Sequence, residues 1–143
     1  MSDNRSGYGD SDNNWSLICY RGAVASAIRG RRGQAFLRDL ISALDAMSEK
    51  RLIAESFSTD AGVCALGSVY AVRGVEPPDI DLDYIPPAAA AGLGIATALA
   101  AEIMYENDDC GPHSESPEQR WQRMRAWAGQ NLNEGKPGEN HDD

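Results

Sequence analysis

Apolar residues recur at helical spacing along most of this chain, broken by short polar or glycine- and proline-rich stretches. Asp12 or Asn13 is placed to cap a helix running through Ile28, with Tyr20, Val24, Ala27 and Ile28 on one side. Gly22, Ala23, Ala25 and Ser26 give it a face of small residues that lets another helix come close. Gly30 suits a left-handed C-cap. A second helix starts near Gly33 or Gln34 and ends near Met47, with Phe36, Leu37, Leu40, Ile41, Leu44 and Met47 as its apolar stripe. Arg38, Asp39, Ser42 and Asp45 fall on its wet side.

Residues 52–57 are ambiguous between a short strand and an extended link. Ser58, Thr59 and Asp60 offer caps for a third helix carrying Val63, Leu66, Val69, Tyr70 and Arg73 and ending at Gly74. The rival is a hairpin over 52–72 with a turn at residues 59–62. Residues 76–83 read as a loop, because two prolines and three alternating aspartates oppose regular structure. Pro86 and Pro87 open a short helix through Ala91 that Gly92 and Gly94 break. Ile95, Leu99 and Ile103, four apart, mark a helix from about Ile95 to Asn107. Ser116, Pro117 and Gln119 spell a capping box with proline at the first helical position. The helix it starts runs to about Leu132, with Trp121, Met124, Ala128 and Leu132 buried and Arg120, Arg123 and Arg125 flanking them.

The pattern predicts a mainly α fold: a compact bundle of five or six helices, with room for one short strand or hairpin near residues 52–57. Scarce phenylalanine and abundant alanine agree with it. A length of 143 residues fits one domain, expected over 14–132, between polar tails at 1–13 and 133–143 that are expected to be unordered. Cys19, Cys64 and Cys110 read as reduced thiols in a cytoplasm. No apolar run is long enough to span a membrane, and no secretory signal is expected.

Charge changes this picture in one place. The chain carries −9 overall, yet residues 21–51 hold seven basic and three acidic side chains, and Arg31 and Arg32 sit between Gly30 and Gly33. Glycines before a helix N-terminus can cradle an anion, and Arg21, Arg29, Arg31, Arg32 and Arg38 are the candidate anion-binding set. Neither a Walker lysine nor a strand-preceded dinucleotide fingerprint is present, so the corner reads first as a helix–helix turn. Its arginines then have a counterpart in the acidic residues near 102–109.

Asp79, Asp81 and Asp83 have calcium-loop spacing, but Tyr84 and Ala90 stand where glycine and glutamate are needed. Cys110 and His113 are half a zinc site at most, so no metal and no cofactor is expected. Glu102 and Glu106 share a helix face and, with Asp108 and Asp109, could supply an acid–base pair, but no nucleophile pattern accompanies them. Trp127 lies toward the edge of the last apolar stripe and is the aromatic best placed to meet a partner.

Residues 21–40, the acidic segment 102–108 and the Ser116–Trp127 end resemble a family of small proteins encoded by phages and prophages of proteobacteria, over about residues 14–132. The resemblance implies a phage-type accessory protein in a bacterial cytoplasm and carries over no catalytic residue. The leading expectation is therefore a non-enzymatic protein that binds a host or phage protein. Its sharpest form is inhibition of a nucleic-acid-handling defence complex, as anti-CRISPR proteins do. The contact set is Asp79, Asp81, Asp83, Glu102, Glu106, Asp108, Asp109 and Trp127, and the partner a basic nucleic-acid-binding protein. The alternatives are a nucleic-acid-binding regulator using the 21–38 arginines, disfavoured by the net charge, and a small-ligand protein or enzyme using the Arg–Gly corner with the acidic helix. A homodimer through the small-residue face is compatible with all three.

Overall fold

The computed structural model describes residues 3–79 and 84–133, with side chains from Trp15 onward. It contains helices α1 (Asp3–Arg29), α2 (Arg31–Ala46), α3 (Ala65–Arg73), α4 (Ile85–Leu93), α5 (Thr97–Asp109) and α6 (Pro117–Gln130). Strands β1 (Ser58–Thr59) and β2 (Gly62–Val63) form a two-stranded antiparallel hairpin before α3. The mainly α bundle and its short hairpin follow the pattern of the sequence.

Helix α2 supplies much of the core because its apolar residues recur every three or four positions. Phe36, Leu37, Leu40, Ala43 and Leu44 are buried. They join Leu66, Val69 and Tyr70 of α3, Leu99 and Ile103 of α5, and Met124 and Ala128 of α6 in one cluster. Trp121 and Trp127 are partly buried against it, and Trp121 Nε1 donates to Leu44 O at 3.2 Å.

Four local expectations need correction. The backbone is helical from Asp3, not from Asp12 or Asn13; once a helix exists, each added residue brings a hydrogen bond at little further cost. Gly30 is not left-handed: at φ −69° and ψ 165° it is extended and serves as the N-cap of α2. The third helix starts after the hairpin, capped by Cys64 Sγ accepting from Gly67 N, and not at Ser58, Thr59 or Asp60. Thr59 caps the hairpin turn instead, its Oγ1 accepting from Ala61 N. Finally, α4 continues through Gly92 and stops at Gly94, whose φ of 75° favours glycine. Asp81 and Asp83 lie outside the described residues, as does the expected tail beyond Asn133.

The capping box forms as its spacing predicts: Ser116 Oγ accepts from Gln119 N and Gln119 Oε1 accepts from Ser116 N. From this fixed start α6 clamps two other segments. Arg120 donates to Leu52 O and Asn107 O, both at 3.1 Å, and Leu52 N donates to Pro117 O. Arg123 donates to Glu106 O at 2.7 Å and to both Glu115 carboxylate oxygens. The Glu115 side chain is only 4 % exposed. Its bond from Arg123 holds its carboxyl below the ordinary range. A depressed pKa means stability that is present above the unfolded value and lost as pH falls through the folded one. Chemical-denaturation midpoints should therefore decline below about pH 4.5. Glu115→Gln should cost about 2 kcal/mol at neutral pH and flatten that decline.

Candidate functional site

Two concave regions flank α5, and between them they divide the candidate residues. The first is a pocket of about 350 Å³ under the hairpin. Phe57, Leu66, Ile85, Ile103 and Met104 line it, and Glu55, Asp108 and Asp109 contribute carboxylate-bearing positions. Asn107 builds this side of the molecule. It is buried, its Oδ1 accepts from Ala65 N at 3.0 Å, and its Nδ2 donates to Ile53 O at 2.9 Å and to Asp108 Oδ1 at 2.8 Å. The same Asp108 oxygen accepts from Glu55 N at 3.0 Å. Glu55 has φ 70° and is the one non-glycine residue with positive φ among those described. Such a conformation is costly for a side chain with a Cβ and persists only where its surroundings hold it. Here Asp108 holds it, at the edge of an apolar pocket.

The second region is a groove of about 760 Å³ between α1, α5 and the end of α6. Leu17, Val24 and Ile28 give it an apolar side, and Tyr20, Tyr105 and Trp127 add aromatic surface. Arg21, Arg29 and Glu102 bring charge to it. Tyr20 donates its hydroxyl to Glu102 Oε1 at 3.1 Å. Partial burial, and then the Glu102 carboxylate, push that hydroxyl up to about 12.

The structure redistributes the sequence candidates. Asp108 and Asp109 meet at the pocket, whereas Glu102 and Trp127 face the groove. Asp79 is exposed in the chain after α3. Glu106 is half-buried and pairs with Arg123 at 3.8 Å; burial, and then Glu102 one turn away, raise its pKa. Arg21 and Arg29 were expected to share in neutralising this acidic segment. Among the described residues its cation is Arg123. Arg21, Arg29, Arg31, Arg32 and Arg38 are all exposed, and the Gly30–Gly33 corner lines neither cavity.

Cys64 is buried and its thiol is pushed up to about 12 by that burial. Cys110 is exposed, but partial burial of its thiol, and then Glu106, raise it as well. Among the described residues no group of three histidine, cysteine or acidic side chains is arranged to hold a metal. No single helix among them is long and apolar enough to cross a membrane.

Sequence reasoning missed Glu55 and Asn107. Nothing in the sequence marks Glu55, because its backbone strain depends on where Asp108 lands. Asn107 was legible only as the expected end of the helix that begins near Ile95. The chain matches no protein-family model, no curated protein and no solved structure.

Proposed function

We propose that this chain is a non-enzymatic accessory protein of phage type that binds another protein, and that its acidic contact is the pocket beside Glu55, Asp108 and Asp109. One observation carries the reading: carboxylate-bearing residues from two segments adjoin an apolar lining of Phe57, Leu66, Ile85, Ile103 and Met104. A lysine or arginine of a partner suits such a place, its aliphatic stem against the lining and its charged head at the rim. The net charge of −9 would speed encounter with a basic partner. A nucleic-acid-handling defence complex, whose groove is basic by necessity, is the partner class this chemistry fits best.

The test is binding of an arginine-rich peptide, with an acidic peptide of equal length as control, by calorimetry. Glu55→Gln with Asp109→Asn should weaken binding roughly tenfold, because two rim charges are lost. Asp108 is left intact because it holds the loop. Equal affinity of the double variant and the parent chain would refute the assignment.

A second reading rests on the exposure of Arg21, Arg29, Arg31 and Arg32. If these bind nucleic acid, affinity for duplex DNA should be measurable at low salt and fall steeply as salt rises.

A further inference from the structure

The groove between α1, α5 and α6 gathers side chains that the rest of the fold leaves without partners. Each arginine from Arg51 onward lies within 4.0 Å of a carboxylate oxygen. Arg21 and Arg29 line the groove and pair with no carboxylate among the described residues, in a chain with an excess of acid. Aromatic rings divide in the same way. Phe57 and Tyr70 meet edge to face, and Lys50 and Arg73 lie over Trp121 and Phe36. Tyr20, Tyr105 and Trp127 line the groove and have no such ring or cation contact among the described residues. Unpaired cations and unstacked rings therefore meet in one concavity of about 760 Å³, a size common for small-ligand sites.

We propose that this groove binds a free nucleoside phosphate, its base against the aromatic rings and its phosphates on Arg21 and Arg29. The two arginines stand about 12 Å apart along the helix axis. Their long side chains close that gap on a chain of phosphates better than on a single one. The rings supply what an inorganic anion cannot use, a surface on which the flat face of any base stacks.

Glu102 narrows the choice further. Its carboxylate lines the groove and accepts from the Tyr20 hydroxyl at 3.1 Å. A bare anion would meet it as repulsion, whereas the hydroxyls of a sugar donate to it. One molecule carrying phosphates, sugar hydroxyls and a planar ring satisfies all three kinds of group. The net charge of −9 favours a small ligand over a polynucleotide, whose many phosphates the rest of the surface repels. No residue lines both this groove and the pocket beside Glu55, so the site stands apart from the proposed protein-binding contact.

Equilibrium dialysis of the full chain against adenosine triphosphate tests the site. Adenosine and inorganic triphosphate are the controls, and each should bind at least about tenfold more weakly, because each lacks one half of the recognition. Arg21→Gln with Arg29→Gln should weaken nucleotide binding by about tenfold or more. Tyr105→Ala should weaken it roughly tenfold, the loss of one stacked base. Both variants should keep the parent's circular dichroism, since Arg21, Arg29 and Tyr105 are all exposed. No retained nucleotide at millimolar concentration would overturn the proposal. Inorganic triphosphate bound as tightly as the nucleotide would also overturn it, leaving an adventitious anion only. Unchanged affinity in both variants would remove the groove as the place of binding. A short oligothymidylate or an acidic peptide that displaces the nucleotide at lower concentration would show a single strand or a protein segment to be the true occupant, and would overturn it as well.

Discussion

Gly33→Ala should lower the stability of the fold by about 3 kcal/mol, a large share of the total for a domain of this size. Glycine here is needed for space, since its φ is ordinary. A Cβ at position 33 would stand 1.8 Å from the carbonyl oxygen of Ala27 and 3.1 Å from that of Ile28. Those atoms belong to the backbone of α1, so no side chain can swing aside to relieve the contact. Helix α2 would have to move away from α1, separating Gln34 from Ile28 O and Asn131 O, both of which it now bonds. Gly30→Ala three residues earlier is the control. Its Cβ would find its nearest neighbour at 3.4 Å, an ordinary contact, in an extended conformation open to any residue. Urea denaturation should show a large drop in midpoint for the first variant and a small one for the second. Equal effects would mean that the corner depends on glycine for flexibility and not for close approach.

Asn107→Leu should cost about 3 kcal/mol, although it trades a polar side chain for an apolar one of similar size in a buried place. The amide fixes three points at once: the first turn of α3 through Ala65 N, the loop through Ile53 O, and Asp108. Leucine would leave the Ala65 amide and the Ile53 carbonyl buried without these partners. Asn107→Asp keeps the acceptor for Ala65 N but loses both donations and places a second charge beside Asp108, so it should not rescue. Hydrogen exchange offers the sharper readout. The amides of Ala65 and Glu55 should lose protection in Asn107→Leu, while those in the middle of α2 keep pace with the global stability. Unchanged protection at Ala65 and Glu55 would count against the amide as the organiser of this corner.

These two residues also mark how far the sequence could be read. Helices α2 and α6 were legible because their determinants are local: apolar spacing in one, a capping box with proline in the other. The hairpin was not resolved from the rival helix, because only four residues pair and the helix follows at once; each reading held part of the answer. The reach of α1 was hidden because residues 3–14 carry no apolar pattern to announce it. The acidic segment read as a single surface, yet successive residues on a helix point around its circumference. Glu102 lines the groove and Glu106, one turn on along the same face, pairs with Arg123, whereas Asp108 and Asp109 reach the pocket. What local pattern cannot supply is the arrival of a distant segment, and Glu55, Asn107 and Gly33 all owe their roles to such arrivals.

The clamp made by α6 has a bearing on the order of events during synthesis. Leu52, held at both its amide and its carbonyl, is gripped by Pro117 and Arg120, and the Leu44 carbonyl receives Trp121. Met124 and Ala128 complete the cluster that α2 begins. A nascent chain that has delivered α1 through α5 therefore still lacks the cover that α6 gives the α2 stripe and leaves Leu52 without either of these backbone partners. It cannot settle until the ribosome has released α6. During that wait the uncovered part of the α2 stripe is apolar surface open to aggregation.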